Sequence, residues 1–206
     1  MDETVTRNYA MLRGVLAGAP VFSHESRFER FFTFPVETAR LSGAVDTLNV
    51  VARESLLAAP GLMDAPNIHI TGELRSFNNK RGDGARLVIT LFARTIELDE
   101  GEDANLVRLQ GALCKPPNLR TTPMGRDICD LMLAVGRRYG RSDYLPCICW
   151  GLRAREAALW QVGDQLRLRG RIQSRKYLKL SDGAAEEHTA FEVSVIDIER
   201  LPTAAL

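Results

Sequence analysis

The sequence contains one pattern twice. Asn8, Gly14 and Pro20 return as Asn105, Gly111 and Pro117, and Arg40, Gly43, Asp46 and Leu48 return as Arg137, Gly140, Asp143 and Leu145, at a constant shift of 97 residues. After one inserted residue, Gly72 and Ser76 match Gly170 and Ser174. Solenoid repeats run to roughly 20–50 residues, so a period this long marks two copies of a domain rather than an array. The division expected is a first copy over residues 1–98, an acidic linker over residues 99–104 (Asp99-Glu100-Gly101-Glu102-Asp103-Ala104), and a second copy over residues 105–201.

Each copy reads as strands with a single helix. In the second copy, strands are expected at Leu106–Cys114, Ile128–Val135 and Tyr144–Trp150. A short Ala-, Glu- and Leu-rich helix follows at Arg153–Trp160, then strands at Gln165–Tyr177 and Thr189–Ile198. Gln165–Tyr177 alternates with period two: Leu166, Leu168 and Ile172 take one face, and Arg167, Arg169, Arg171, Gln173 and Arg175 the other. The first copy has matching segments at Tyr9–Leu16, Arg30–Arg40, Val45–Ala52, a helix near Glu54–Leu57, Ile68–Phe77 and Leu87–Ile96. Five strands with a helix between the third and fourth describe an OB-fold, so the expected architecture is all-β: two tandem OB-folds, each a five-stranded barrel.

Composition narrows the function. The chain has 45% hydrophobic and 26% charged residues, which is globular rather than disordered. It lacks the roughly 18 consecutive apolar residues of a membrane span. Met1-Asp2-Glu3 is acidic and Arg13 interrupts the apolar stretch after it, so no secretory signal is expected and the four cysteines read as reduced thiols of a cytoplasmic protein. The formal charge of +1 hides an asymmetry. Residues 1–104 hold 11 Lys+Arg against 15 Asp+Glu, whereas residues 105–206 hold 16 against 11. A nucleic-acid surface is therefore expected in the second half.

That half interleaves Tyr139, Tyr144, Trp150 and Tyr177 with Arg137, Arg138, Arg141, Arg171, Arg175 and Lys176. Tyr144 and Trp150 are six apart in a strand and share a face, with Cys147 and Cys149 pointing the other way. Tyr177 shares its face with Arg171, Gln173 and Arg175. Flat aromatic surfaces among guanidinium groups suit single-stranded nucleic acid: bases stack on the rings, at about 1–3 kcal/mol each, and arginines follow the phosphates. Taken singly, each aromatic is more simply core and each arginine a solvated charge. Taken together, they lie on the polar side of strands whose other side is already apolar. Trp160, on the helix, reads as packing.

Several motifs then point to a family. Asn105-x5-Gly111, Pro117-x-Leu119-Arg120-x-Thr122-Pro123-x-Gly125, Leu133-Ala134-Val135, Asp143-Tyr144-Leu145-Pro146-Cys147, Trp150-Gly151 and Gly170-Arg171-Ile172-Gln173-Ser174-Arg175-x-Tyr177 resemble the bacterial single-stranded DNA-binding protein family over about residues 105–200. The resemblance implies an OB-fold, DNA-stacking roles for Tyr139, Tyr144, Trp150 and Tyr177, and a working assembly of four OB-folds. Two folds per chain would make that assembly a homodimer. The first copy has lost the stacking set: Ser42, Thr47 and Arg53 stand where the second has Tyr139, Tyr144 and Trp150, and Asn79 falls near the place of Tyr177. It keeps Arg75, Phe77, Lys80 and Arg81, and a structural or assembly role is expected for it. The sequence stops at Leu201-Pro202-Thr203-Ala204-Ala205-Leu206 without an acidic run, so recruitment of replication enzymes by an acidic tail is not expected.

Chemistry-bearing motifs are missing. His24, His69 and His188 are scattered, and Cys147-Ile148-Cys149 has no second ligand pair at zinc spacing. Gly82-Asp83-Gly84 lacks a P-loop Lys-Ser/Thr and reads as a hairpin turn. No enzyme activity, cofactor or metal is expected. The expected function is sequence-tolerant binding of single-stranded DNA in replication, repair or recombination. The alternatives are an OB-fold protein-interaction or primosome-accessory module, and a single-stranded RNA binder.

Overall fold

A computed structural model describes residues 7–65, 67–79, 87–137, 140–181 and 184–202. Chain contacts divide it into two units. The N-terminal unit comprises residues 9–75 and 89–106, and the C-terminal unit takes the rest, including residues 76–79.

The N-terminal unit holds β1 (Asn8–Leu16), β2 (Val21–Ser26), β3 (Glu29–Ala39), β4 (Val45–Arg53), β5 (Asn67–Asn78) and β6 (Leu87–Asp99), hydrogen-bonded in the order β2-β3-β4-β6-β5-β1. The C-terminal unit holds β7 (Ala104–Leu113), β8 (Asn118–Thr121), β9 (Asp127–Gly136), β10 (Ser142–Trp150), the helix α1 (Leu152–Ala157), β11 (Gln165–Ser181) and β12 (Ala184–Arg200), in the order β7-β11-β12-β10-β9-β8. Within the units β1 also bonds β3 and β7 also bonds β9, each over two residue pairs.

The all-β expectation needs correction in its architecture. Each unit is a sheet of six strands, and not a five-stranded barrel. The two unforeseen strands, β2 and β8, are exposed along their whole length and carry no apolar alternation to reveal them. The first copy also lacks the expected helix. Glu54–Leu57 forms a 3-10 turn, and Pro60 and the left-handed Gly61 (φ 79°) lead into a second at Leu62–Asp64.

Why these particular residues recur is visible in the packing. A Cβ on Gly14 would run into the Glu37 carbonyl, and one on Gly111 into the Ala134 carbonyl, so both copies require glycine where the first strand crosses the third. Gly72 and Gly170 meet the carbonyls of Phe92 and Ser194 in the same way. Arg40 donates from Nε to Asp46 Oδ2 at 2.5 Å, and Arg137 does the same to Asp143 Oδ2 at 2.6 Å. Both carboxylates are buried beneath their turns, and both arginines close those turns with a backbone N–H, to the Ala44 and Arg141 carbonyls. The repeat is therefore a record of close approaches and buried pairs. Leu12, Phe34, Leu48, Ile70 and Leu91 fill one core, and Leu109, Leu133, Leu145, Leu168 and Val193 the other. Ala154 and Ala157 seat α1, and Trp160 behind it is buried, as its packing role requires.

Candidate nucleic-acid interface

Register assembles one face of the C-terminal unit. β10 pairs β9 with Pro146 opposite Met132 and Ile148 opposite Asp130, and β10 runs parallel to β12 with Ile148 beside Ser194. β12 pairs β11 with Ser194 opposite Arg171, Glu192 opposite Gln173, and His188 opposite Tyr177. Residues paired across strands share a side. Tyr144, Pro146, Ile148, Trp150, Ser194, Glu192, Arg171, Gln173, Arg175 and Tyr177 thus belong to one side of the sheet, on which Ile148, Gln173, Glu192 and Ser194 are buried.

The expected site residues are placed unevenly on it. Tyr144 is 51% exposed, its ring open to a ligand while its backbone N–H donates to Ser76 Oγ at 2.7 Å. Trp150 is half-buried: its Nε1 donates to Ser194 Oγ at 3.3 Å, and the Arg126 guanidinium lies 5.9 Å from its ring. Tyr177 is half-buried and stacked on His188, with centroids 5.7 Å apart and planes 27° apart, and Arg175 stands 5.7 Å from the ring. Arg175 and Lys176 are exposed, the latter donating to Glu187 Oε1 at 2.9 Å. Arg141 is exposed at the β9–β10 turn. Arg171 is half-buried, with its Nε shielded from solvent and without a hydrogen-bond partner among the described residues. Gln173 is buried and donates to Glu192 Oε1 at 2.9 Å. Arg138 and Tyr139 lie outside the described residues. Arg137 is engaged elsewhere: besides its pair with Asp143, its Nη2 donates to the Ser76 carbonyl at 3.0 Å.

Three further cations of this region were not among the expected site residues, although Arg120 stands in the Pro117–Gly125 motif. Arg126, beside Trp150, sits in the β8–β9 hairpin, whose tip also carries the nearly fully exposed Met124. Arg120 on β8 grips Asp130 with Nε at 2.6 Å and Nη2 at 3.0 Å, and that bond pushes its guanidinium pKa up further. Lys115 completes a rim with Arg120 and Arg175. These cations fall between the expected strands, and the only signal for any of them was the motif that contains Arg120. Beside the hairpin turn Asp127 accepts from Arg155 Nε at 2.5 Å and from Thr121 at 3.1 Å, which holds its carboxyl below the ordinary range.

The N-terminal unit has its own ring-and-guanidinium groups. Arg75 and Arg94 stand 5.9 and 5.4 Å from the Phe92 ring, and both pair with Glu73. By register Phe92 occupies the place of Ser194, opposite Val51. Arg30 lies 5.5 and 5.3 Å from the Phe22 and Phe32 rings and pairs with Glu54. Of the first copy's remaining candidates, Phe77 is exposed and belongs by its contacts to the C-terminal unit, while Lys80 and Arg81 lie outside the described residues. The acidic run is tied to this unit: Asp99 accepts from the Gly101 N–H and from Arg13, bonds that hold its carboxyl low, and Asp103 accepts from the Ala39 N–H at 2.5 Å.

All four cysteines are free, in the C-terminal unit. Burial pushes the thiols of Cys129 and Cys147 up, and that of Cys149 to about 12, which keeps them protonated and inert. Among the described residues, no group of three or more His, Cys, Asp or Glu side chains could hold a metal ion.

Fold and face together describe an all-β binding protein with an aromatic and basic strand surface. The model of the single-strand binding protein family matches residues 104–201. Single-stranded DNA-binding protein B of Bacillus subtilis is 38% identical over 80 residues, covering 35% of this chain and 71% of that protein. Single-stranded DNA-binding protein 2 of Listeria innocua is 37% identical over 86 residues, 38% of this chain and 54% of that protein. The chain belongs to the single-strand binding protein family. Beyond the matched region the likeness is one of fold: wild-type single-stranded DNA binding protein from Thermus aquaticus superposes with a TM-score of 0.76 at 22% identity, covering 97% of this chain and 95% of that one.

Proposed function

We propose that this protein binds single-stranded DNA with little regard to sequence, serving replication, repair or recombination in the cytoplasm as a non-enzymatic coat. The observation that carries this reading is the grouping on one strand face of an exposed Tyr144, a half-buried Trp150 and Tyr177, and the cations Arg175 and Arg126 beside the last two rings. In this reading bases stack on the three rings, joined by Tyr139, and phosphates meet Arg138, Arg141, Arg171, Arg175 and Lys176. Arg137 serves the face from beneath by fixing Asp143. The first copy, residues 1–98, is assigned a structural or assembly role, followed by the acidic connection at 99–104, and residues 105–201 carry the DNA. Two chains then pair as a homodimer presenting four copies of the repeated domain.

The test is a tryptophan-fluorescence titration with oligo-dT beside a duplex of equal length, at two salt concentrations. Trp160 is buried and contributes a constant background, so quenching reports Trp150. The reading expects quenching by the single strand only, weakened by salt as counterion release requires. Tyr144→Ala with Trp150→Ala should collapse binding. Retention of DNA binding by that double variant would refute the stacking surface, and absence of binding by the unaltered chain would leave a docking module. Matched RNA oligomers distinguish an RNA binder.

A further inference from the structure

Two apolar features lie outside the strand face, one on each unit. The first is the tip of the β2–β3 hairpin, where the chain turns through Arg27 and Phe28 at φ 50° and 64°. Both values fall in the left-handed region, which a bulky side chain seldom occupies. Phe28 is 99% exposed, so no packing within the chain holds it there. The turn does not call for it either. At the repeat shift of 97 residues, Gly125 takes the equivalent left-handed place in the β8–β9 hairpin, at φ 76°. Strain kept where glycine would serve is the kind that accompanies a functional contact. Val21 and Phe22, both exposed, carry the apolar surface along β2.

The second feature is a stripe on α1. Leu152, Glu156 and Leu159 stand at i, i+4 and i+7, so they share one face of the helix and of the turn that continues it. Ala154 and Ala157 seat the opposite face, whereas both leucines are 81% exposed. The first copy has no such stripe: Ser55 and Ala59 stand at the first two places, and Leu62 at the third is buried. Each chain therefore carries one aromatic tip and one leucine stripe.

Charge indicates what covers them. Around the hairpin Arg30 pairs with Glu54 at 2.7 Å and Arg53 with Glu29 at 3.1 Å. Residues 1–104 hold 15 acidic against 11 basic side chains, so this is poor ground for a phosphate backbone. Beside the stripe Arg155 pairs with Asp127 and Arg153 with Asp197. Arg27 at the tip and Glu156 within the stripe have no side-chain hydrogen bond or ion pair among the described residues. A tip offering a phenylalanine and an unpaired arginine complements a stripe offering two leucines around an unpaired glutamate. Aromatic rings and arginine are also the side chains that most often anchor protein interfaces.

We infer that the occupant of each feature is a second copy of this chain: the Arg27–Phe28 tip of one protomer seats on the Leu152–Glu156–Leu159 stripe of its partner, and the partner returns the contact. Phe28 then lies between the leucines and Arg27 meets Glu156. Such an exchange is the self-complementary arrangement of a two-fold dimer. An aromatic side chain buries about 150–250 Å². One tip and one stripe on each protomer thus supply a large part of the roughly 800 Å² per partner found in stable interfaces. The inference rests on the homodimer proposed above and names its interface.

The experiment is sedimentation of the full chain over a range of concentrations, without DNA. The unaltered chain should be a dimer. Arg27→Asn with Phe28→Gly should weaken the dimer at least about thirtyfold, the loss of an anchoring residue. Asparagine and glycine suit a left-handed turn, so that loss cannot be a loss of fold. Leu159→Asp, at an exposed position of the other unit, should weaken it similarly. Arg27→Glu and Glu156→Arg should each weaken it roughly tenfold by placing like charges together, and the two combined should regain most of the affinity. A dimer indifferent to the tip and stripe variants, or a charge exchange that regains nothing, would overturn the contact and leave the homodimer standing. Species growing beyond the dimer with concentration would overturn the reciprocal exchange. A monomer at every concentration would sink the homodimer and the contact with it.

Discussion

Removing the Arg137 guanidinium separates two roles that look alike in sequence. Asp143 is 0% exposed and accepts from Arg137 Nε at 2.6 Å, from its Nη2 through Oδ1, and from the Ser76 N–H at 2.6 Å. In Arg137→Ala the carboxylate keeps its burial and loses its counter-charge. Breaking one side of a buried pair costs about 3–5 kcal/mol. That is a large part of the 5–15 kcal/mol that holds a typical protein folded. For a chain of this size the loss corresponds to a melting shift of roughly 6–20 °C. Urea unfolding followed by circular dichroism reads the loss directly, and Arg40→Ala should behave similarly because Asp46 is equally enclosed. Replacing Asp143 and Arg137 together by Asn and Leu should recover part of the loss, since no unpaired charge then stays inside. The reasoning fails if Arg137→Ala unfolds at the urea concentration of the unaltered chain while its affinity for oligo-dT falls. The guanidinium would then be spending its charge on phosphate and not on Asp143.

Other outcomes follow from the packing. The β2–β3 hairpin turns through Arg27 and Phe28 at φ 50° and 64°, with Phe28 99% exposed, so Arg27→Asn with Phe28→Gly should stabilise the chain by about 1–2 kcal/mol, read as a higher melting temperature. Gly111→Ala should destabilise by about 1–3 kcal/mol, as its Cβ has to displace the Ala134 carbonyl; an unchanged unfolding midpoint would contradict the strand crossing. Cys149 titrates near 12 when folded against 9.0 as an ordinary thiol, so between those pH values the folded state holds the proton that the unfolded state has lost. Stability should therefore fall with rising pH across that window, by about 1.4 kcal/mol per pH unit for this thiol, and Cys149→Ala should flatten the slope. In the folded chain at neutral pH a thiol reagent should modify Cys114 first, since Cys129, Cys147 and Cys149 are buried; rapid reaction of all four would contradict the packing.

The sequence by itself determined the duplication, the all-β class and the position of most strands, because close approaches and buried pairs admit so few residues. A glycine facing a carbonyl and an arginine closing its turn over a buried aspartate recur in both copies, and a Cβ at those glycines would meet the carbonyl. Alternation marked Gln165–Tyr177 because Leu166, Leu168 and Ile172 are buried in the core. The motifs around Tyr144 and Trp150 were legible for the same reason, being short and local. Tertiary structure alone decided what each polar side chain does. Arg137 and Arg175 are both arginines near aromatic residues, yet one is bound to a buried carboxylate and the other stands exposed beside Tyr177. Gln173 alternates like a solvent-facing residue but is covered, because Glu192 across the ribbon takes its amide. The exposed strands β2 and β8 left no periodic mark, and the two-barrel expectation failed there: an exposed hairpin is selected by its turn and its partner strand, not by burial. Periodicity reports which residues leave water. Where charges find their partners depends on strands many positions apart, and only the folded chain brings those together.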